Sequence, residues 1–479
     1  MRIGQTSLIV FGSKVVGSMA GFVATLYFAR ELGAGVLGIY SLVLAVVAWV
    51  GIAGKVGVTA AINKRLSEGE EEGEYFTAGV LSLLGMFVVI AAVVYAGRGP
   101  LEGYIGRPVI PFVILILGST LLNALSRATL SGKHLVHIKG LLTPVRMTIR
   151  SVVQIALVIV GFELVGMLAG HALAYALIGI AGLWIAGPSI RLPSKRHFEA
   201  LGSYAKYAWL GSVERRAFGW VDVAVMGFFV PSDLIGVYSV AWTISTFLLS
   251  SGSAISSATF PEISSVTTDA DNQAAAPILR DTLRYGGVIL VPGFVGAAVL
   301  GPRILRIYGT EFTVGGTVLT VLVAAVLIRS YQKQLSTTLS GIDRPDLTFR
   351  INAVAILSNL ILNVMLISLY GWIGAAVATA LATGIGTVLA YRYINQLIDF
   401  DLPYVAFGKQ IIAACACGIV AYAGLWFEET YHVLQHNFGL VLVLVGLGAG
   451  TYFAILFAIW PHFRTTVRSN LPTDLPPLG

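Results

Sequence analysis

Long apolar segments separated by short polar connections run through the whole chain. The first, SLIVFGSKVVGSMAGFVATLYF (residues 7–28), is followed by thirteen others of similar character. A helix of ~20 apolar residues spans the ~30 Å hydrocarbon core of a bilayer. The apolar positions do not alternate with period two, so helices are predicted rather than the strands of a barrel. The pattern predicts fourteen transmembrane helices, with tight turns at Glu163 and Gly371.

The composition supports a polytopic membrane protein. Of 479 residues, 56% are hydrophobic and 11% are charged, whereas a soluble domain is about a quarter charged. The first apolar run ends in Ala-Arg-Glu, so we expect no cleaved signal peptide. The only two cysteines, Cys415 and Cys417, lie inside a late apolar run, and we expect neither a disulfide nor a metal site. We expect no cofactor.

Lysine and arginine residues predict the orientation. With the N-terminus inside, 19 of them fall in inner connections and 5 in outer ones, so both termini are predicted to be cytoplasmic. The inner set includes Lys139, Arg146 and Arg150, assigned to the connection before a span at 145–162. The net charge of +7 is therefore a topology signal, and we expect no nucleic-acid partner. The acidic run EGEEEGE (68–74) is expected to be a solvated loop.

A short phrase occurs twice. LGIYSLVLA (37–45) and LIGVYSVAW (234–242) share Gly-x-Tyr-Ser, before spans 2 and 8. Two further phrases recur in the same order: LSG at 130–132 and 339–341, and GMLAGHALA at 166–174 as GAAVATALA at 374–382. An even number of spans per repeat predicts parallel repeats, related by a pseudo-two-fold axis along the membrane normal.

The repeat predicts the domain organisation of an all-α polytopic membrane protein. Two six-helix lobes would be joined by a linker and followed by two extra helices. The predicted segments are an N-terminal lobe at 1–188, a cytoplasmic linker at 189–204, a C-terminal lobe at 205–395, spans 13 and 14 at 396–461 and a cytoplasmic tail at 462–479.

Two segments carry a family resemblance. ARELGAGVLGIYS (29–41) and RAFGWVDVAVMGFFVPSDLIGVYSVA (216–241), with the two-lobe pattern, resemble the polysaccharide flippases of the multidrug/oligosaccharidyl-lipid/polysaccharide exporter superfamily. O-antigen and dolichol-linked glycan flippases belong to it. The resemblance covers about residues 5 to 460. It implies that the first helix of each lobe lines a central cavity, so Lys14 and the pair Arg215–Arg216 would lie at its wall.

Ionisable residues inside spans are costly in lipid and indicate functional sites. The deep cations predicted to bind an anionic head group are Lys14, Arg215, Arg216, Arg329 and Lys333. A second set of cavity residues is Ser18, Asn123, Arg127, Gln332, Asn359 and Asn363. Asp222 and Glu214 are the candidates for coupling to Na⁺ or H⁺. For Arg215, Arg216 and Asp222 a structural ion pair is the alternative, and for Lys14 snorkelling to the surface.

A cationic cavity favours anions, and arginine suits phosphate. The expected substrate is a sugar-bearing polyprenyl phosphate or diphosphate, moved by alternating access across the cytoplasmic membrane of a prokaryote. We expect a monomer, surrounded by membrane lipids, with glycan polymerases or transferases as partners. The alternatives are a multidrug extruder of the same superfamily, which needs an acid deep in span 1, and a membrane glycosyltransferase, which needs a larger outer loop than residues 29–36.

Overall fold

The computed structural model describes residues 3–54, 57–208, 210–267, 272–432 and 436–470. Within these ranges, side chains are described except at 3–16, 207–218, 250–255, 257–258 and 468–470. All regular structure in the described ranges is helical, which confirms the all-α prediction.

The contacts divide the chain into two compact units, residues 1–239 and 240–479. The predicted lobe boundaries stay a prediction. Helices of the first unit, the last of which continues into the second, are α1 (Ile3–Ala53), α2 (Val58–Ser67), α3 (Glu72–Ala96), α4 (Arg98–Ile105), α5 (Ile110–Gly132), α6 (Val136–Ile159), α7 (Glu163–Ala186), α8 (Lys195–Ala208), α9 (Leu210–Phe229) and α10 (Ser232–Val266).

The second unit continues with further helices and two 3₁₀ turns, at Asn272–Ala275 and Thr310–Gly315. Its helices are α11 (Ala276–Tyr285), α12 (Leu290–Leu305), α13 (Gly316–Gly341), α14 (Pro345–Asn395), α15 (Tyr404–Tyr431), α16 (Asn437–Ile459) and α17 (Pro461–Asn470).

The number of membrane crossings agrees with the prediction of fourteen. In the described residues, 11 helical segments are long and apolar enough to span a bilayer. Two of them turn back at a glycine with positive φ: α1 at Gly33 (φ 78°) and α14 at Gly371 (φ 57°), so each supplies two crossings. The 20-residue helix α9 supplies the remaining one. Glycine adopts this conformation without a Cβ clash, so a turn of one residue suffices.

The turn predicted at Glu163 is also confirmed. Helix α6 ends at Ile159 and α7 begins at Glu163, with positive φ at Gly161 (97°) and Glu163 (42°). The start of α6 differs from the prediction, because the helix begins at Val136 rather than at 145. Arg146 and Arg150 therefore lie near the middle of a membrane helix and not in a cytoplasmic connection.

Small residues let the membrane helices of the first unit approach closely. A Cβ on Gly170 of α7 would lie 3.0 Å from the backbone of Gln154 in α6. A Cβ on Gly179 would lie 3.1 Å from the backbone nitrogen of Asn123 in α5. Helix α7 is thereby packed against both α5 and α6, as small-residue interfaces in membranes allow. These contacts bring polar side chains of α5, α6 and α7 together.

The acidic run at 68–74 is exposed over residues 68–71, as expected of a solvated loop, and three of its carboxylates also form ion pairs with residues distant in sequence. The Glu71 carboxylate accepts hydrogen bonds from Arg196 and lies 3.1 Å from Nε2 of the buried His197. Two neighbours form looser ion pairs, Glu72 with Lys133 (3.5 Å) and Glu74 with Arg191 (3.7 Å). The acidic run thus joins residues 191–197, at and before the start of α8, to the start of α3.

The second unit contains an apolar cavity of about 380 Å³ between α10, α12, α13, α15 and α16. Phe247, Pro292, Leu300, Leu444 and Tyr452 are among its lining residues. The walls are almost wholly hydrocarbon, so the cavity suits an aliphatic chain and not a charged group.

Candidate functional site

Two arginines on α6 lie among polar side chains of the neighbouring helices. Arg146 donates a hydrogen bond from Nη1 to Oδ1 of Asn123 in α5, at 2.9 Å. Its guanidinium carbon lies 4.3 Å from the centre of the Tyr175 ring in α7. A hydrogen bond on one side and a cation–π contact on the other hold the Arg146 side chain in place. Asn123, which the sequence predicts as a cavity residue, thus lies next to Arg146, a cation that the sequence does not place in the site.

One turn further along α6 stands Arg150, and one turn beyond it Gln154. Nε of Arg150 is buried and has no hydrogen-bond partner among the described residues. Gln154 is buried, and its Nε2 donates to the Tyr40 hydroxyl (3.1 Å) and to the Met167 carbonyl (2.6 Å). The polar face of α6 therefore changes from charged to neutral between these two positions.

Tyr40, from the repeated phrase, completes this neutral end. Its hydroxyl lies 2.8 Å from Nδ1 of His171, whose ring stacks on Tyr175 with centroids 4.5 Å apart. Buried polar groups are costly unless hydrogen-bonded, and here each bond joins two different helices. The network fixes α1, α6 and α7 relative to one another.

Two more cations lie toward the start of α6. Lys139 donates to the Ser131 hydroxyl at 2.5 Å, and Arg127 of α5 is exposed. Arg127 is close enough to both Lys139 and Arg146 for their charges to interact. Residues 139, 143, 146, 150 and 154 follow helical spacing and are all polar. That spacing is visible in the sequence, but the density of basic residues at 133–150 predicts a connection between spans.

The tyrosine in the second copy of the repeated phrase, Tyr238, also forms a buried hydrogen bond. Tyr238 is almost fully buried and donates from its hydroxyl to Oδ2 of Asp222, which is buried too, at 2.5 Å. Asp222 was predicted as an ion-coupling candidate. Its carboxylate is placed inside the first unit with a hydrogen-bond donor beside it, and the coupling role stays a prediction.

In the second unit, the predicted polar residues differ in burial and in hydrogen bonding. Gln332 is buried and lies against Gly386 of α14, whereas Arg329 is half-buried and Lys333 is exposed. Asn359 donates to Thr379 Oγ1 (3.2 Å), across the turn at Gly371 that divides α14, and Asn363 donates to the Asn359 carbonyl (2.9 Å). The Asn359 bond connects the two halves of α14, whereas the Asn363 bond lies within one helix. Their contact with a substrate stays a prediction.

Four predicted site residues lie outside the described side chains: Lys14, Glu214, Arg215 and Arg216. Their positions on α1 and α9 are described, and Ser18, one turn after Lys14, is exposed.

Comparison with known proteins defines the class. A profile for "Polysaccharide biosynthesis protein" matches residues 3–267, and one for "Lipid II flippase MurJ" matches residues 216–445. The chain is 32% identical to "Probable flippase AglR" of Haloferax volcanii, over 99% of both chains. It is 28% identical to "Probable low-salt glycan biosynthesis flippase Agl15" of the same organism, over 98% of this chain and 99% of the relative.

Solved structures show the same fold. The inward closed form of the lipid II flippase MurJ matches with a TM-score of 0.82 at 16% identity, over 96% of this chain and all of the other. An inward-facing multidrug transporter of the MOP superfamily matches with a TM-score of 0.60 at 13% identity, over 79% and 95%. The fold is that of a MOP-superfamily membrane transporter.

The chain belongs to the polysaccharide biosynthesis protein family. The predicted resemblance is confirmed, and the full-length relatives are named flippases and not glycosyltransferases.

Proposed function

We propose that this protein moves a lipid-linked oligosaccharide from the cytoplasmic to the outer leaflet of the cell membrane. The carrier is a polyprenyl chain joined to the sugars through phosphate or diphosphate, and both termini are cytoplasmic. The two whole-length relatives named as flippases support this function, one of them for glycan biosynthesis.

The observation that carries the proposal is the pair of arginines near the middle of α6. A cation at that depth is costly unless water or an opposite charge stabilises it. A transported anion provides that charge, and arginine binds phosphate in a forked geometry that lysine lacks. Glycans offer hydroxyl groups to the neighbouring amides, such as Asn123.

The apolar cavity of the second unit supports the same substrate class independently. Moving a polyprenyl chain out of water is favourable by roughly 25 cal/mol for each Å² of apolar surface buried. Moving it from lipid into an apolar protein cavity changes the free energy little, because lipid tails are as apolar as the cavity wall. The cavity therefore serves to guide the chain and does not supply strong affinity.

The test is a chromosomal deletion with complementation. We expect loss of surface glycan together with accumulation of the lipid-linked oligosaccharide, measured by mass spectrometry of lipid extracts and of surface glycoprotein. The intact gene should restore both. Unchanged surface glycan combined with reduced efflux of a cationic dye would identify the multidrug extruder instead.

A further inference from the structure

Four cations follow one line through the first unit. We use the name α6 cation track for Lys139, Arg146 and Arg150 of α6 together with Arg127 of α5. At ~1.5 Å per residue, Lys139 and Arg150 are ~16 Å apart along the helix axis, which is about half the hydrocarbon thickness. The track therefore runs from the α5–α6 turn to the centre of the membrane.

No acidic side chain of the described residues forms an ion pair with any of the four. The basic residues at the ends of the helices differ in this respect, since Lys133 and Arg191 each have a glutamate partner. Instead, the charges of Arg127 and Arg150 both act on Arg146. Like charges in a poorly solvated space repel, so the track is most stable with an anion bound.

The two deep arginines, Arg146 and Arg150, differ in their contacts with the rest of the protein. Arg146 is fixed by Asn123 and by the Tyr175 ring. Arg150 forms no hydrogen bond with the described residues, and its Nε is buried. An arginine carries five N–H donors, and the four on the two terminal nitrogens of Arg150 are available to a ligand. Beyond it, the hydrogen-bonded Tyr40, His171 and Gln154 offer no charge, and the track ends there.

We infer that the α6 cation track binds the phosphate or diphosphate of the lipid-linked substrate, with Arg150 as its deepest contact. The inference rests on the proposed function, and it assigns the head group to residues of the first unit other than the predicted Lys14, Arg215 and Arg216. The anion enters along Lys139 and Arg127 and stops at the neutral network of Tyr40. Phosphates of ordinary phospholipids and free diphosphate share this chemistry, so the test must separate them.

The test measures binding of farnesyl diphosphate to the purified full-length protein in phosphatidylcholine nanodiscs, with farnesol as the uncharged comparison. The variants are Arg150→Gln and Arg150→Lys. Arg107→Gln is the matched control, because Arg107 is an exposed arginine between α4 and α5 and its loss changes the net charge equally. Arg150 makes no hydrogen bond to a described residue, so Arg150→Gln should keep the melting temperature of the parent protein.

We expect the parent to bind farnesyl diphosphate more tightly than farnesol. Loss of a charged hydrogen-bond donor should weaken this binding about ten- to hundredfold in Arg150→Gln. Arg150→Lys should lose less, and Arg107→Gln should match the parent. Equal affinity of the parent and Arg150→Gln, or no preference of the parent for the diphosphate, would overturn the assignment.

Two competition experiments distinguish a lipid-linked diphosphate from free diphosphate and from ordinary anionic lipid. Inorganic diphosphate should compete only weakly, since it lacks the lipid chain. Phosphatidylglycerol in the nanodisc should leave farnesyl diphosphate binding nearly unchanged, and full displacement would show a site for ordinary anionic lipid instead. If the deletion strain loses surface glycan while Arg150→Gln binds normally, only the track is wrong. If the deletion strain exports glycan normally, the proposed function itself fails.

Discussion

Gly38 and Gly236, the glycines of the two repeated phrases, lie against each other where α1 and α10 cross. A Cβ added to Gly38 would lie 3.1 Å from the Gly236 nitrogen, and one added to Gly236 would lie 3.0 Å from the Gly38 nitrogen. Each would also collide with a backbone carbonyl four residues before its partner, that of Ser232 or Ala34. The contact is reciprocal, as two-fold related segments require.

This crossing predicts a steep cost for one added methyl group. Gly38→Ala should destabilise the protein by about 1–3 kcal/mol, because neither backbone can move without separating the helices. Gly35→Ala is the control, since a Cβ there meets only the Ser232 hydroxyl, at 4.0 Å. Melting temperatures in detergent should fall for Gly38→Ala and stay near the parent for Gly35→Ala. Equal melting temperatures for the two variants would show that the helices are not in close contact.

Glu71, the residue before α3, should restrain the start of α8 through its contacts with Arg196 and His197. Glu71→Gln removes a partner of both Arg196 and His197, whereas Glu70→Gln removes the same charge at an exposed position with no ion pair among the described residues. We expect faster tryptic cleavage at Lys195 and Arg196 in Glu71→Gln alone. The stability change should be small, about 1 kcal/mol or less, because the Arg196 pair is largely exposed. Identical cleavage rates would contradict the contact.

Asp222 tests the predicted ion coupling. If its carboxylate binds the coupling ion, Asp222→Asn should remove the dependence of transport on a Na⁺ or H⁺ gradient. Tyr238→Phe removes only the donor beside it and should keep that dependence. Transport by vesicles under imposed gradients measures both. A gradient response in Asp222→Asn equal to that of the parent would leave Asp222 a structural role, as the hydrogen bond partner of Tyr238.

The predicted orientation is tested by single cysteines in a protein whose Cys415 and Cys417 are replaced by alanine. Cysteines at Glu70 and Leu475 should resist an impermeant thiol reagent in intact cells. Those at Arg107 and His432 should react, because the positive-inside rule places them outside. Reaction at Glu70 and protection at Arg107 would reverse the orientation.

Hydropathy predicted the helices well because each must satisfy its own backbone in lipid, and the turns at Glu163 and Gly371 followed from the lengths of the apolar runs. It failed at Arg146 and Arg150, since four basic residues within residues 133–150 predict a polar connection and not the first half of a span. Those partners, Asn123 and Tyr175, come from other helices and are brought together by packing at Gly170 and Gly179. Sequence spacing cannot show which helices become neighbours.

The sequence shows that the phrase Gly-x-Tyr-Ser occurs twice, but it does not show that the two copies are in contact. Tyr40 and Tyr238 occupy matching positions, yet one bonds to His171 and the other to Asp222. The shared phrase fixes a glycine crossing that both halves need.

If the proposed function holds, the purified protein alone moves a lipid-linked oligosaccharide across a bilayer. The direct measurement uses vesicles that contain the purified protein and a polyprenyl diphosphate oligosaccharide with a fluorescent label on its sugar. A membrane-impermeant quencher is added outside. In protein-free vesicles, only the outer-leaflet label should be quenched. With the protein present, quenching should continue to completion as inner-leaflet molecules are moved outward, and more slowly with Arg150→Gln. Quenching limited to the outer leaflet, with correctly folded protein in the membrane, would contradict the account.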